Sequence, residues 1–383
     1  MAKEQSTVKK AVKITAISLA ALIGAFILIV LIYVIYVAAQ YYRIGDNLAL
    51  EVKNGQTQSI SAGEEYTVIS YNLGFGAYSP EYSFFMDEGV MKDGKKVAGK
   101  YAKGMNKADV EKNVSGQAEL IGEQNADFYF LQEADEKADR SYHINMVERM
   151  TAALPSHASI YAENFHTANL IYPFNDPIGK TDAGILTLSR YRVQSAVRRS
   201  FPITKNFIDK LFDLDRCFSV QYLPVEGSDK FLTLINLHMS AYDKGGTIRA
   251  KQLEMLNAVL KEERDKGNYI VAGGDFNHCL IADQFESDEA AFAAFKSEQV
   301  TPDWVKSSVL HERELTEGFR IAANKEKATC RGADIPYTAG VNFETVIDGF
   351  LYSDNIEVVR EETVDTGYAF SDHNPVKMSF RLR

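Results

Sequence analysis

The sequence predicts a mixed α/β domain with two β-sheets, preceded by a single transmembrane helix. Three observations predict this fold class. One long uncharged apolar run stands near the N-terminus. Beyond it, short β-branched apolar runs alternate with helical stretches, which is the pattern of an α/β domain. No Pro- or Ser-rich boundary divides residues 66–383, so the many strands there are expected to form one domain containing two sheets.

The N-terminal run, residues 14–39, contains 26 residues without a charge. A helix of this length reaches about 39 Å, which exceeds the roughly 30 Å hydrocarbon core of a bilayer. A cleaved signal peptide is the alternative, because small residues stand at 37–39. The apolar run is, however, about twice the usual 7–15-residue core of a signal peptide. Residues 14–39 are therefore interpreted as a retained membrane anchor.

Charges on either side of this helix predict its orientation. Four lysines precede it and only Arg43 lies close after it, so the positive-inside rule keeps residues 1–13 in the cytoplasm. Residues 40–65 are then a spacer, and residues 66–383 form a domain outside the cell. The expected protein is a single-pass protein of the cell membrane. The tyrosines that fit an aromatic belt at its outer face are Tyr33, Tyr36, Tyr41 and Tyr42.

The exported part of the chain is acidic. The formal net charge is −10 and residues 1–43 carry +4, so the remainder carries −14. Such a charge gives no general attraction to nucleic acid or to anionic lipid, although a basic patch or bound divalent cations would reverse the field at one site.

Three scattered cysteines form neither a disulfide framework nor a zinc site. They leave two states open, a Cys279–Cys330 bridge or three free and partly buried thiols with Cys217 included.

Periodicity predicts the elements of the domain. Helical periodicity is clearest at 108–124, 142–154 and 247–266, and in the last of these Leu256 and Leu260 lie four residues apart on one buried face. Residues 79–104 and 284–329 fit no simple element and are expected at a functional rim. The predicted strands are 66–71, 127–131, 157–161, 168–172, 184–189, 218–223, 231–237, 269–272, 345–352 and 376–382.

Polar side chains stand at the same end of these strands. Strand ends hold side chains rigidly and open onto a shared crevice, where several segments converge on one ligand. Oxygen donors there suit a hard divalent cation, above all Mg²⁺ or Mn²⁺. Histidines among carboxylates suit acid–base work and charge stabilisation on a phosphoryl group. The residues are Asn72, Gln132, Glu133, His238, Asp275, Asn277, Asp348, Asp372 and His373.

The order of these motifs resembles the endonuclease/exonuclease/phosphatase superfamily over about residues 66–383. The resemblance implies a four-layer α/β sandwich, with two mixed β-sheets face to face and helices outside. It also implies metal-dependent hydrolysis of a phosphate ester without a covalent intermediate. The matching motifs are Asn72, Gln132-Glu133, His238, Gly274-Asp275-Phe276-Asn277, Ile347-Asp348 and Ser371-Asp372-His373.

The same resemblance implies a set of metal ligands. Glu133 is the principal ligand, with Asn72 and Asp372 around the ion. Asp275 and Asn277 bind and position the attacking water and the phosphate. A turn residue without a direct role is the alternative for Asn72.

The implied catalytic set also contains two histidines. His373, oriented by Asp348, is the base or the stabiliser of the pentacovalent centre, and which group removes the proton stays open. His238 belongs to the same set, with a buried hydrogen-bonded histidine as its alternative. Arg216 and Asn169 are expected to reach the substrate.

Three functions remain open for such a chain. Hydrolysis of a phospholipid head group is favoured by the tether, by the acidity and by the run from Gln132 to Ser141, which resembles sphingomyelinase-like members. A surface nuclease would need a basic groove, for which the lysines of residues 79–104 are candidates. The third function is an inactive, membrane-held binding module. No feature of the sequence indicates a protein partner.

Overall fold

Two β-sheets and their flanking helices form the structure, a computed structural model that describes residues 2–204, 206, 214–241 and 246–383. The α-helices are α1 Ala2–Gln40, α2 Lys107–Gln124, α3 Met146–Ala153, α4 Thr247–Asp265, α5 Asp288–Phe292 and α6 Asp303–Lys306. The strands are β1 Leu48–Ala49, β2 Glu65–Asn72, β3 Glu88–Val90, β4 Lys96–Ala98, β5 Phe128–Ala138, β6 Ala158–His166, β7 Thr181–Ser189, β8 Ser195–Ser200, β9 Cys217–Pro224, β10 Phe231–His238, β11 Tyr269–Asp275, β12 Phe319–Ala322, β13 Cys330–Arg331, β14 Glu344–Thr345, β15 Asp348–Ser353, β16 Ile356–Thr363 and β17 Val376–Leu382.

Both large sheets are mixed. The six-stranded sheet has the order β16-β17-β2-β5-β7-β6, and β2 and β5 are its parallel neighbours. The seven-stranded sheet has the order β1-β8-β9-β10-β11-β15-β12, and β10 and β11 are its parallel neighbours. All other neighbours within these two sheets pair antiparallel.

Buried apolar residues hold four layers together. Between the sheets, the Phe130 and Phe350 rings lie 6.5 Å apart in one core cluster. Helices α2 and α3 cover the outer face of the six-stranded sheet, where Val114 and Met150 are fully buried. Helix α4 covers the outer face of the other sheet with its buried Leu256 and Leu260. The predicted four-layer α/β sandwich is therefore confirmed.

One predicted strand is wrong. Residues 168–172 belong to the loop between β6 and β7, where only Leu170 makes an isolated bridge, with Gly179. The apolar run that suggested a strand has another cause, because Ala168 and Leu170 pack against Val37 of helix α1. Strands β8 and β16 were not predicted, since both carry many polar, partly exposed residues.

Residues 40–65 follow the domain surface closely, in contrast to the predicted spacer. Strand β1 pairs with β8, and Ile60 is fully buried in the core between the sheets. Asp215 fixes the start of the segment, since its carboxylate accepts bonds from Arg43 Nη1 at 2.6 Å and from the backbone N–H of Ile44 at 3.1 Å. Helix α1 is thus joined to the domain by an ordered connection.

Helix α1 is long and apolar enough to cross a membrane over Gln5–Gln40, and none of its most apolar 18-residue window is buried in the protein. Cys217, Cys279 and Cys330 are free and buried, so the structure has three free thiols and not the Cys279–Cys330 bridge.

Candidate active site

The parallel strand pairs bring polar residues to one edge of each sheet. Strands β2 and β5 place Asn72, the last residue of β2, opposite Gln132 at the end of their paired segment. Strands β10 and β11 likewise end with His238 opposite Asp275. In both sheets the register is set by the apolar residues that precede these ends, so a change at the core would move the site.

Two antiparallel strands begin at the same edge. Strand β15 runs against β11, and its first residue, Asp348, pairs with Asp275. Strand β17 runs against β2, and the turn that precedes it carries Asp372 and His373. The site therefore draws on strands from both sheets, as the sequence predicts.

Asn72 connects the two sheets. Its amide Nδ2 donates to Asp275 Oδ2 at 3.0 Å and lies 3.4 Å from Glu133 Oε1. Its Oδ1 accepts a bond from the backbone N–H of Gly74 at 2.9 Å. Asn72 is buried, and it contacts two site carboxylates in addition to this turn bond.

A β-bulge in β5 directs Glu133 into the site. The register between β5 and β7 shifts between Leu131 and Ala134, and Glu133 adopts a φ of 53°. Positive φ at a non-glycine residue costs free energy and is enriched at functional sites. The neighbouring Gln132 is fully buried and anchors the bulge, since its Nε2 donates to Asn236 Oδ1 of the facing sheet at 2.8 Å.

The turn after β11 fixes Asp275. Its Oδ1 accepts the backbone N–H of Asn277 at 2.9 Å, and Asn277 Nδ2 donates to the carbonyl of Met239 at 2.9 Å. The preceding Gly274 has a φ of 150°, and a Cβ there would lie 1.9 Å from the carbonyl oxygen of Leu237. Glycine is therefore required where β10 and β11 approach most closely.

His373 is held by Asp348. The Nδ1 atom of His373 lies 2.8 Å from Asp348 Oδ2, and its Nε2 faces Asp275 Oδ2 at 3.9 Å. Burial alone would lower the pKa of His373, but Asp348, Cys330 and Asp372 together raise that pKa well above the usual value. The Asp348 carboxylate therefore favours the protonated form of His373.

His238 also faces Asp275, but its surroundings favour the neutral imidazole. Its Nε2 lies 3.4 Å from Asp275 Oδ2. Burial lowers its pKa well below the usual range, and the charges of Arg216 and His373 add to this effect. His238 is therefore neutral, and it contacts a site carboxylate as well as being buried.

The carboxylates of the site are crowded. Burial raises the pKa of Asp275 to about 7, with Asp348 adding to the rise and His373 opposing it. Burial also raises the pKa of Glu133 and of Asp372, and the Asp372 charge raises the pKa of Glu133 further. The site thus concentrates negative charge that a bound cation would stabilise.

A cavity of about 410 Å³ opens above these residues. Arg216 lines it and is buried, yet its Nε and Nη1 have no hydrogen-bond partner among the residues that the structure describes. Buried guanidinium N–H groups without partners are costly, and an anion such as a phosphate group would satisfy these two nitrogens. The aromatic residues of the wall are Phe75, Tyr78, Phe84, Phe165, Trp304 and Phe343.

Sequence comparison assigns this arrangement to a known group of enzymes. The profile of the Endonuclease/Exonuclease/phosphatase family matches residues 69–373. The chain belongs to the endonuclease/exonuclease/phosphatase family. Enzymes of this family are phosphoric ester hydrolases that generally depend on a divalent metal. A search of curated proteins gave no match.

Solved structures of the family share the fold. The endonuclease/exonuclease/phosphatase from Beutenbergia cavernae DSM 12333 is 14% identical, with a TM-score of 0.55 over 83% of this chain and 72% of its own. The family protein from Leptotrichia buccalis C-1013-b is 11% identical, with a TM-score of 0.52 over 83% of this chain and 100% of its own. TDP2 from Caenorhabditis elegans aligns less closely, with 14% identity, a TM-score of 0.48 and coverage of 84% and 75%.

The residues of this family member fit the metal that the family implies. Carboxylate oxygens are ligands that Mg²⁺ and Mn²⁺ prefer, and Glu133 and Asp372 present carboxylates to the cavity, with Asn72 in contact with Glu133. The crowding of buried carboxylates also favours binding of a divalent cation. The ligand set itself stays a prediction, because Asn72 Oδ1 is bonded to the backbone of Gly74.

Two arginines of the endonuclease/exonuclease/phosphatase site were missed by the sequence reasoning. Arg140 lines the cavity, pairs with Asp135 at 2.7 Å and stacks its guanidinium over the Phe75 ring at 4.1 Å. Arg331 also lines the cavity and donates from Nη2 to the carbonyl of Ser79 at 3.0 Å. Arg140 lies in the run from Gln132 to Ser141, which resembles sphingomyelinase-like members. No sequence pattern around Arg331 indicated a role in the site.

The structure separates one predicted substrate residue from the rest. Asn169 is exposed, its backbone carbonyl accepts a bond from Tyr33 at 3.2 Å, and it does not line the cavity. Its predicted contact with substrate has no support in this geometry. Arg216, predicted together with it, lines the cavity beside His238.

Proposed function

We propose that the chain is a membrane-anchored, divalent-metal-dependent phosphodiesterase that hydrolyses its substrate by direct attack of water. One observation carries the proposal. Asp275, with Asn72, His238 and the His373–Asp348 pair around it, faces a cavity that is also lined by Arg216, whose buried Nε and Nη1 have no hydrogen-bond partner among the described residues. Membership of a phosphoric ester hydrolase family supports the proposal.

Glu133 and Asp372 would hold the metal ion, with Asn72 beside it. The ion, Mg²⁺ or Mn²⁺, would neutralise negative charge that develops on the phosphate oxygens. Glu133 in β5 and Asp372 in the turn before β17 line the cavity, and Asn72 at the end of β2 contacts Glu133.

The chain's own residues would perform the remaining chemistry. Asp275 is positioned to accept a hydrogen bond and then a proton from the attacking water, and the backbone N–H of Asn277 fixes its other oxygen. His373 is held by Asp348 at Nδ1 and faces Asp275 with Nε2, and in its protonated form it would stabilise the pentacovalent phosphorus. Arg216 would bind a non-bridging oxygen of the phosphate.

A phospholipid head group is the substrate class we favour. The exported part of the chain is acidic, and α1 ties it to a membrane surface. A nuclease is the second candidate, because Lys92, Lys95, Lys96 and Lys100 are exposed on the excursion beside the cavity. The cavity wall of that excursion contains Asp87 and Glu88, however, and these acids oppose binding of a polyanion.

Membrane anchoring through α1 is part of the proposal. The lysines before the apolar run place residues 1–13 in the cytoplasm, so the catalytic domain, residues 66–383, would lie outside the cell.

The test uses the full-length protein, purified in detergent and supplied with Mg²⁺. Three substrates are compared: a chromogenic soluble phosphodiester, phospholipid in mixed micelles and supercoiled plasmid. We expect hydrolysis of the soluble diester and of the phospholipid. Asp275→Asn should abolish both, which excludes a contaminating hydrolase, and Asp354→Asn at an exposed ion pair should leave both unchanged. Plasmid cleavage alone would favour the nuclease, and a protein inactive on all three would contradict the proposal and favour the binding module.

A further inference from the structure

We infer that residues 167–180, the loop between β6 and β7, enter the outer leaflet beside α1 and hold the mouth of the active-site cavity at the level of the lipid head groups. The inference rests on the proposed anchor and phosphodiesterase function, and it names membrane lipid as the substrate source. These residues are called the interfacial loop below.

The interfacial loop packs directly on the anchor helix. The Tyr33 hydroxyl donates to the carbonyl of Asn169 at 3.2 Å and accepts the backbone N–H of Ile171 at 3.1 Å. One helical turn further, Val37 is 98% buried against Ala168 and Leu170. A polar and an apolar contact on the same helix face therefore fix the loop to α1.

The level of Tyr33 on the helix places the loop at the edge of the hydrocarbon core. The uncharged run begins at Ile14, and about 20 helical residues cross the roughly 30 Å core of a bilayer, so the core ends near Tyr33. Tyrosine is enriched at this boundary. Because Ile171 bonds to the hydroxyl of Tyr33, the loop reaches the same depth.

The loop exposes apolar side chains at this level. Ile171, Tyr172 and Phe174 are 40%, 60% and 81% exposed, and Met86 of the adjacent excursion is 51% exposed. The rings of Tyr172 and Phe174 lie 6.1 Å apart, and Phe85 lies 5.9 Å from Tyr172. A contiguous exposed apolar patch indicates an interaction surface. With α1 in a membrane, the surface next to this patch is the bilayer.

The same loop forms part of the cavity rim. Ile178 lines the cavity, as do Phe84 and Met86 on either side of Phe85. Asp176 ties the loop to the excursion, since it accepts the backbone N–H of Ala102 at 3.1 Å and pairs with Lys103 at 3.2 Å. Insertion of the loop would therefore bring the cavity mouth to the head groups, where a lipid phosphodiester could enter without leaving the bilayer.

Depth is tested with full-length Phe174→Cys labelled with an environment-sensitive dye. The three native cysteines are buried, so the new thiol is the site of labelling among the described residues. The protein is reconstituted into phosphatidylcholine–phosphatidylglycerol vesicles with or without brominated lipids, and an impermeant maleimide restricts labelling to outward domains. Val359→Cys is the control, because Val359 is 43% exposed on β16, at the opposite edge of the six-stranded sheet from β6.

The dye at residue 174 should emit at shorter wavelength and be quenched by the brominated lipids, whereas the dye at residue 359 should report water. Emission at residue 174 that matches residue 359, with no quenching, would overturn the inference. This readout does not depend on activity.

Activity gives a second, separable test. Phe174→Ser should lower hydrolysis of vesicle phospholipid by about tenfold and leave hydrolysis of the soluble diester unchanged, since residue 174 does not line the cavity. Equal rates on vesicles for both proteins would overturn the inference while the proposed function stands. Absence of hydrolysis of soluble diester and lipid alike would refute the proposed function, and the depth measurement would still decide where the loop lies.

Discussion

The charges beside each buried histidine determine the direction in which its pKa is shifted. His373 and His238 both face Asp275, yet the Asp348 carboxylate beside His373 raises its pKa, whereas burial and the Arg216 charge lower the pKa of His238. The surroundings of the two imidazoles therefore shift their pKa values in opposite directions. Such separation of neighbouring titrations is typical of sites that combine acid, base and electrostatic roles.

Replacement of His373 tests this division of roles. His373→Ala should lower kcat by on the order of 10²–10⁴ with the fold retained, because it removes the charge that faces the phosphoryl group. Turnover of the soluble diester and circular dichroism are the measurements. His143→Ala, at an exposed histidine paired with Asp139, should be unaffected. A folded His373→Ala protein with near-normal turnover would remove His373 from the mechanism.

Arg216 should matter for substrate and little for stability. Arg216→Met keeps volume but removes a buried cation whose Nε and Nη1 lack described partners, so kcat/KM should fall about 10- to 100-fold without loss of thermal stability.

Arg198→Met is the matched contrast for that experiment. Arg198 is equally buried, but its guanidinium donates to the carbonyls of Glu163, Gly45 and Asp215. That substitution should cost on the order of 3 kcal/mol of unfolding free energy, because it leaves buried carbonyls unsatisfied. Equal destabilisation by both changes would contradict the role given to Arg216.

The residues of the site were predictable to different degrees. Glu133, His238 and Asp275 follow apolar runs, and a run that ends in an acid or imidazole is a local signal. The β-bulge that directs Glu133 and the walls formed by Arg140 and Arg331 are not local, since they depend on register and on excursions without periodicity. Asn169 was predicted to contact the substrate, but it lies beside Tyr33 of helix α1.

Helices and strands, like the site residues, were predictable where they carry a local sequence pattern. Helices α2 and α4 and the central strands have strong periodic burial, and the sequence predicts them. Residues 168–172 were read as a strand because they are apolar, but they bury that surface against α1, and no pattern within the loop shows which element covers it. Edge strand β16 lacked the apolar alternation that would have identified it.

Strand β16 also provides a pH-dependent test of stability. Burial, and next the Glu362 charge, raise the pKa of Glu361 from 4.5 to about 7, and its buried Oε1 has no hydrogen-bond partner within the described part of the chain. A raised carboxyl pKa means that the folded state binds the extra proton, so its stability falls as the pH rises from about 4.5 through 7, by on the order of 3 kcal/mol at most.

Glu361→Gln removes this titration. Thermal unfolding of the full-length protein in detergent should show the variant more stable than the wild type at pH 8 and nearly equal at pH 5. An identical difference between the two proteins at both values would show that Glu361 does not titrate between them.

At the scale of the whole molecule, the anchor and the active site form one arrangement. Helix α1 packs on the interfacial loop, the connection at 40–65 is bonded to Asp215, and the loop reaches the cavity rim. If α1 spans a membrane as proposed, an ordered connection of this kind would fix the height and orientation of the cavity above the bilayer, which a flexible spacer would not do.

The predicted topology can be checked in intact cells. The full-length protein should resist extraction by alkaline carbonate, because about 20 apolar residues span the bilayer. Protease added outside should digest the domain and spare a tag fused to the N-terminus. Release by carbonate would refute the anchor, and protection of the domain with loss of the tag would reverse the orientation.

The most direct test of the central claim is the rate of soluble phosphodiester hydrolysis by the full-length protein as the Mg²⁺ concentration is varied, with Glu133→Gln measured in parallel. The site geometry predicts a saturable dependence on Mg²⁺, complete loss of activity in excess chelator with recovery on re-addition, and a higher Mg²⁺ requirement or no activity for Glu133→Gln. Full activity of the wild type in excess chelator would contradict the account.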